Sequence, residues 1–164
     1  MRDKPAASAQ GAAMSKVEIP PAWLALCLAA AWIVAWLEPT GLGFGTLAGL
    51  AWWVGLALIV AGVGLMLWAV RRMLPRGTPV MPRRTPEALV TDGPFRFSRN
   101  PIYLGDALVL AGAALMLDAP LALPLVPLFA WILTRRFIRG EEAALRARFP
   151  QAFAEWSART RRWL

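Results

Sequence analysis

One run of thirteen residues carries most of the chemistry this chain has to offer: Gly93-Pro94-Phe95-Arg96-Phe97-Ser98-Arg99-Asn100-Pro101-Ile102-Tyr103-Leu104-Gly105. Asn100-Pro101 standing before an apolar segment is a helix start, because asparagine caps and proline is pre-set for the first helical position. Such a helix end presents free N–H groups and a partial positive charge, and Arg96 and Arg99 lie just before it. Two readings fit: a site for a carboxylate or phosphate, or a capped helix whose arginines meet lipid headgroups.

Tyr103, the only tyrosine, sits one turn into that helix, as an interfacial aromatic or as a hydroxyl facing a polar pocket. Asp106 lies a further turn along. A carboxylate inside a membrane span is expensive and is retained for a partner or a function, although a connector arginine could also pair with it. Glu141-Glu142 is an acidic pair in an otherwise cationic tail. It suits a cationic ligand, or local neutralisation of Arg135, Arg136, Arg139 and Arg146. Side chains of adjacent helical residues point about 100° apart, so one of the two is expected to face inward. Gly62-Val63-Gly64 signals close packing of helices through small residues, or close approach to a cofactor.

Composition narrows the chemistry further. There is no histidine, which removes a histidine base, a Ser-His-Asp triad and the ordinary histidine-containing zinc sites; no metal site is expected. Cys27, the single cysteine, lies in an apolar run and reads as a small buried hydrophobe. The chain has 164 residues, 58% hydrophobic and 17% charged, with its apolar residues in blocks. That pattern belongs to a membrane protein. The net charge of +8 then reflects arginines flanking membrane spans, not a nucleic-acid surface.

The elements that must position these residues follow from the blocks. Residues 1–18 read as a disordered tail, without the pattern of a cleavable signal peptide. Residues 19–164 form a single membrane domain with spans at about 19–37, 44–70, 101–117 and 120–138. A proline-rich connector covers 71–100, where a continuous helix is not expected. The last two spans read as a helical hairpin turning at Asp118-Ala119-Pro120, with Pro124 and Pro127 kinking its second arm or making its start irregular. The tail, 139–164, carries Leu145, Phe149, Phe153 and Trp156 at helical spacing, and Pro150 splits it into two short helices. It reads as a helix on the membrane surface, a lid over a site, or both. The fold class is therefore an all-α membrane protein of about four transmembrane helices with a C-terminal amphipathic helical tail.

Every basic residue falls in the N-terminal tail, the connector or the C-terminal region, and none in the turns 38–43 and 118–120. The positive-inside rule then places both termini and the connector in the cytoplasm. Sixteen arginines against two lysines suggest a GC-rich bacterial genome, hence an inner membrane.

In combination, Gly93-Pro94-Phe95-Arg96, Arg99-Asn100-Pro101-Ile102-Tyr103-Leu104-Gly105, the hairpin, Glu141-Glu142 and the Phe149 to Trp156 tail resemble the isoprenylcysteine carboxyl methyltransferase and phospholipid methyltransferase family of integral membrane enzymes. The resemblance spans roughly residues 85–160. It implies S-adenosylmethionine as methyl donor, held at the cytoplasmic face by Arg99, Asn100, Pro101, Tyr103, Gly105, Glu141 and Glu142. Arg96 is a further candidate for binding, and Gly62 and Gly64 are weaker ones. Arg99, Tyr103 and Asp106 are the candidates for work at the reacting atoms, with Asp106 or a glutamate able to take a proton from a lipid amine. The carboxyl methyltransferases usually carry histidine where this chain has Asn100, whereas phospholipid N-methyltransferases can carry Asn-Pro-x-Tyr-x-Gly. The methyl acceptor is expected to be lipophilic, a prenylcysteine carboxylate, a phospholipid amine or similar, reached from the bilayer. An NADPH-dependent reductase of the sterol-reductase type and a non-catalytic membrane module are the alternatives.

Overall fold

The computed structural model describes residues 20–37, 43–77 and 88–164. The expected tail at 1–18, most of the turn at 38–43 and the middle of the connector lie outside the described residues. The described chain is all-helical, in the order α1 (Pro20–Leu37), α2 (Ala48–Met73), α3 (Pro101–Met116), α4 (Leu125–Leu133), α5 (Arg139–Arg148) and α6 (Pro150–Arg159), with short 3₁₀ turns between them. Among the described residues, three stretches are long and apolar enough to cross a membrane: Pro20–Leu37, Gly45–Arg76 and Pro120–Arg148. The sixteen residues of α3 form a shorter apolar helix.

Burial explains how a short helix serves here. On α3, Tyr103, Gly105, Asp106, Ala107, Leu110, Gly112 and Ala114 are all buried, so protein rather than lipid covers most of its surface. On one side α3 packs with Cys27 and Ala31 of α1 and with Phe129 and Leu133 of α4. On the other it meets α2 along a seam of glycines. A Cβ on Gly62 would come within 2.6 Å of the Gly105 carbonyl oxygen, and one on Gly55 within 2.6 Å of that of Gly112. The two antiparallel backbones approach as closely as side-chain-free positions allow, which is how helices gain van der Waals contact in lipid, where burial from water is not available. Gly64 takes no part, since the space beside it is open. Outward faces of α1 and α2 expose Trp36, Leu50, Trp53, Val60 and Leu67, as lipid-facing helices do.

Two boundaries differ from the sequence reading. The second span continues past residue 70 to Met73 and a 3₁₀ turn at Leu74–Arg76, with Arg71 and Arg72 in the last helical turn, where the helix dipole favours cations. The hairpin's second arm does not stop at 138. It starts irregularly at Pro120–Ala122, as its prolines predict, then runs through α4, a π turn at Thr134–Ile138 and α5 without interruption. No proline stands between Pro127 and Pro150 to stop it, and α6 begins at Pro150.

The π turn has a visible consequence. Leu133 and Ile138 are both buried although five residues apart, and Glu142 follows four residues later. One residue of extra width thus rephases the rod, so that Glu142 continues its buried face.

At one end of the bundle Asp118, in the left-handed region at φ 53°, accepts the Phe44 N–H at 2.7 Å and joins the hairpin turn to the start of the second span. At the opposite end lie Arg71, Arg72, the residues before α3, and α5 and α6. There Asp92 bridges Arg76 at 2.9 Å and Arg72 at 3.5 Å. The hydrogen bond from Arg76 holds the Asp92 carboxyl below the usual carboxylate range.

Candidate functional site

At that arginine-rich end a cavity of about 110 Å³ opens between the C-terminus of α2, the residues preceding α3, and α5 and α6. Its apolar wall includes Met73, Leu89, Val90, Leu145 and Trp156; its polar wall is Arg99, Asn100, Glu141 and Glu142. Residues distant in sequence meet here because α6 folds back onto the protein. Phe153 is fully buried and Trp156 nearly so, packed with Ala69, Val90 and Phe95. The Trp156 indole N–H donates to the Phe95 carbonyl at 3.0 Å. Burying two such side chains stabilises the docked helix by about 2–3 kcal/mol each. The amphipathic stripe is therefore a cover over a cavity, with its apolar side turned to protein.

Both glutamates border the cavity, where one was expected. They diverge as adjacent helical residues must, and the site reaches around both sides of α5. Glu141 accepts the Tyr103 hydroxyl at 2.7 Å. Glu142, buried, receives both Nε and Nη2 of Arg162 at 3.0 and 2.7 Å and faces Arg99 at 3.4 Å. A bidentate guanidinium–carboxylate pair is among the stronger polar contacts available. Hydrogen bonding to Glu142 raises the Arg162 guanidinium above its already high value.

Arg99 is largely covered, and its Nε is buried without a hydrogen-bond partner among the described residues. A buried donor left unsatisfied is uncommon and calls for an explanation, a ligand being one.

Asn100 departs from its expected role. Its side chain makes no capping bond to α3; its Nδ2 donates instead to the Arg162 carbonyl at 3.0 Å. The C-terminal segment runs alongside and offers carbonyls that the amide can reach, while Pro101, at the first helical position, has no N–H to cap.

The other predicted site residues are distributed as follows. Tyr103 reaches the cavity through Glu141. Arg96 ends the 3₁₀ turn Gly93–Arg96 and is exposed. Pro101, Gly105 and Asp106 are buried on α3 and do not line the cavity, and Gly62 and Gly105 face each other in the α2–α3 seam. Arg162 was not legible as a site residue: it is one of six basic residues in the tail, and nothing in its spacing marks it. Met73, Leu89 and Val90 carried no signal either, because the connector's fold brings them in.

Apolar helices with lipid-type outer faces and a covered, partly polar cavity at one end define a helical membrane protein with a cavity at its edge. The chain belongs to the phospholipid methyltransferase family, whose model matches residues 50–152. That match runs from α2 into α6 and takes in Arg99, Asn100, Tyr103, Glu141 and Glu142, but ends before Arg162. The protein is thus a membrane methyltransferase by family. No curated protein and no solved structure matches the chain.

Proposed function

We propose that this protein transfers a methyl group from S-adenosylmethionine to a lipophilic acceptor at the cytoplasmic face of the membrane. The observation that carries this reading is the composition of the cavity wall. Arg99 and Asn100 lie on one side, two carboxylates on the other, and an apolar surface between Met73 and Trp156 closes it.

The residues fit the donor's chemistry. Arg99, with its orphaned Nε, suits a carboxylate. Glu141, whose contact among the described residues is the Tyr103 hydroxyl, has acceptor capacity left for an ammonium or a ribose hydroxyl. Met73, Leu89, Val90 and Trp156 suit a purine ring. When bound, S-adenosylmethionine supplies a methyl group already activated on a sulfonium. The protein's task is then alignment and exclusion of water, which agrees with the absence of histidine.

An amine acceptor must also lose a proton. Glu141 borders the cavity and is the better placed base, whereas Asp106 lies deeper in α3 and off the wall. A phospholipid amine is the acceptor that the family description and Asn100 favour; a prenylcysteine carboxylate is the other member of the same class. The arginine-rich end faces the cytoplasm in this reading, and the membrane is a bacterial inner membrane.

The test is thermal unfolding of the purified full-length protein in detergent with S-adenosylmethionine, S-adenosylhomocysteine or NADPH. A ligand bound only to the folded state raises the transition by about 2.7 kcal/mol at one hundred times its Kd. Stabilisation by the two adenosyl compounds is expected. A shift with NADPH alone would turn the assignment to a reductase, and no shift with any of them to a non-catalytic module. Transfer of labelled methyl into a lipid extract then identifies the acceptor.

A further inference from the structure

The four residues at 160–163 are attached to three separate elements. Thr160 is buried. The carbonyl of Arg161 accepts the backbone N–H of Arg99 at 2.9 Å. The carbonyl of Arg162 accepts from Asn100 Nδ2 at 3.0 Å and from the Ser98 hydroxyl at 3.3 Å. Its guanidinium grips Glu142, as described above. The Trp163 indole N–H then donates at 3.3 Å to Thr134 Oγ1, and that hydroxyl bonds back to the Ala130 carbonyl at 2.7 Å. Thr134 opens the π turn that sets the phase of the glutamates.

We propose that residues 160–163 are a clasp that holds the polar wall of the cavity together, and that Arg162 is a positioning residue acting through Glu142. One side of the wall, Ser98 to Asn100, hangs on the clasp by its backbone carbonyls. The other side, α5, hangs on it by the Arg162–Glu142 pair. These contacts fix the two halves of the wall relative to each other. Removing Arg162 leaves Glu142 buried with Arg99 at 3.4 Å as its ion-pair partner. A carboxylate so placed turns toward Arg99, and Arg99 is the residue the ligand needs. Arginine suits this position because its planar fork meets both carboxylate oxygens, which a lysine ammonium cannot do with the same geometry.

The effect on ligand rests on the methyl-donor reading above; the mechanical effect does not. The experiment therefore reads both, on full-length protein in lipid nanodiscs. The first measurement is hydrogen exchange without ligand. Arg162→Ala should expose the amides of 98–104 and 139–148, and leave those of α2 and the core of α3 protected. The second is the Kd for S-adenosylhomocysteine. Arg162→Ala should weaken it roughly tenfold, as expected for loss of a charged hydrogen bond, with Arg162→Lys in between. Adding Arg162→Ala to Glu142→Gln should cost little more than Glu142→Gln alone, because the arginine acts through that carboxylate. Helical circular dichroism checks that each variant is folded.

Unchanged exchange in Arg162→Ala overturns the clasp. So does an unchanged Kd, or a double variant in which the two losses simply add. If the wild type binds no S-adenosylhomocysteine, the methyl-donor reading falls, and the exchange result alone decides whether the clasp stands.

Discussion

The Tyr103 hydroxyl donates to Oε1 of Glu141 at 2.7 Å, joining the first turn of α3 to the first turn of α5 across 38 residues of chain. This bond brings the only tyrosine and one half of the acidic pair to a single point at the edge of the cavity. The ring itself stays in contact with Phe137, their centroids 6.5 Å apart.

That division between ring and hydroxyl makes Tyr103→Phe informative. The ring's packing is retained, so stability should fall by only about 1 kcal/mol, the net worth of one hydrogen bond. Glu141 loses the donor that orients it, and affinity for S-adenosylhomocysteine should drop several-fold. Calorimetric titration beside thermal unfolding separates the two effects. Equal affinity in both proteins would remove the hydroxyl from the site.

Glu142→Gln keeps the shape of the side chain and removes its charge. Two arginines then face a neutral amide, Arg162 about one-third exposed and Arg99 well covered. Breaking a fully buried pair costs about 3–5 kcal/mol. The partial exposure of Arg162 lowers the expected loss to about 1–3 kcal/mol, since water screens that partner. Loss of stability together with loss of ligand binding is expected, measured by denaturation with and without S-adenosylhomocysteine.

The glycine seam offers a test that leaves the cavity untouched. Gly62→Val places two methyl groups against the Gly105 carbonyl and forces the helices apart, at a cost of about 1–3 kcal/mol or more. Gly64→Ala, two residues away in open space, should leave the unfolding transition within about 0.5 kcal/mol of wild type. Similar behaviour in the two variants would mean that α2 and α3 do not meet in this register.

The ion pairs of Asp92 give a prediction in pH. Its folded-state pKa lies below the unfolded value of about 3.9. The contribution is therefore fully present above about pH 4 and is lost as pH falls through the lower folded value. It should be small, because Asp92, Arg72 and Arg76 are all substantially exposed. The difference in stability between wild type and Asp92→Asn should be constant from pH 5 to 8 and shrink below pH 4. A difference that grew on acidification would contradict the pairing.

Much was decided by the linear chain. Blocks of apolar residues interrupted by prolines and arginines define membrane helices whatever their neighbours, because a span is a matter of length and hydropathy. Pro150 had to divide the tail, and Asn100-Pro101 had to open a helix, because these effects are local to the backbone. The ordered set from Gly93 to Glu142 was enough to indicate the family.

What the tertiary structure decided concerns partners and phase. A helical wheel cannot show that Glu141 and Glu142 both border the cavity, since that depends on a π turn and on groups approaching α5 from two sides. Asn100 has a capping residue's identity, but its amide goes to a carbonyl sixty-two residues away because that carbonyl lies within reach. Gly105 sits in the motif yet serves the seam with Gly62. Arg162 looks like any basic residue near a membrane until the chain folds back and sets it against a buried carboxylate. Spans follow from local composition, whereas this site depends on which distant groups share a small volume, and only the packed chain determines that.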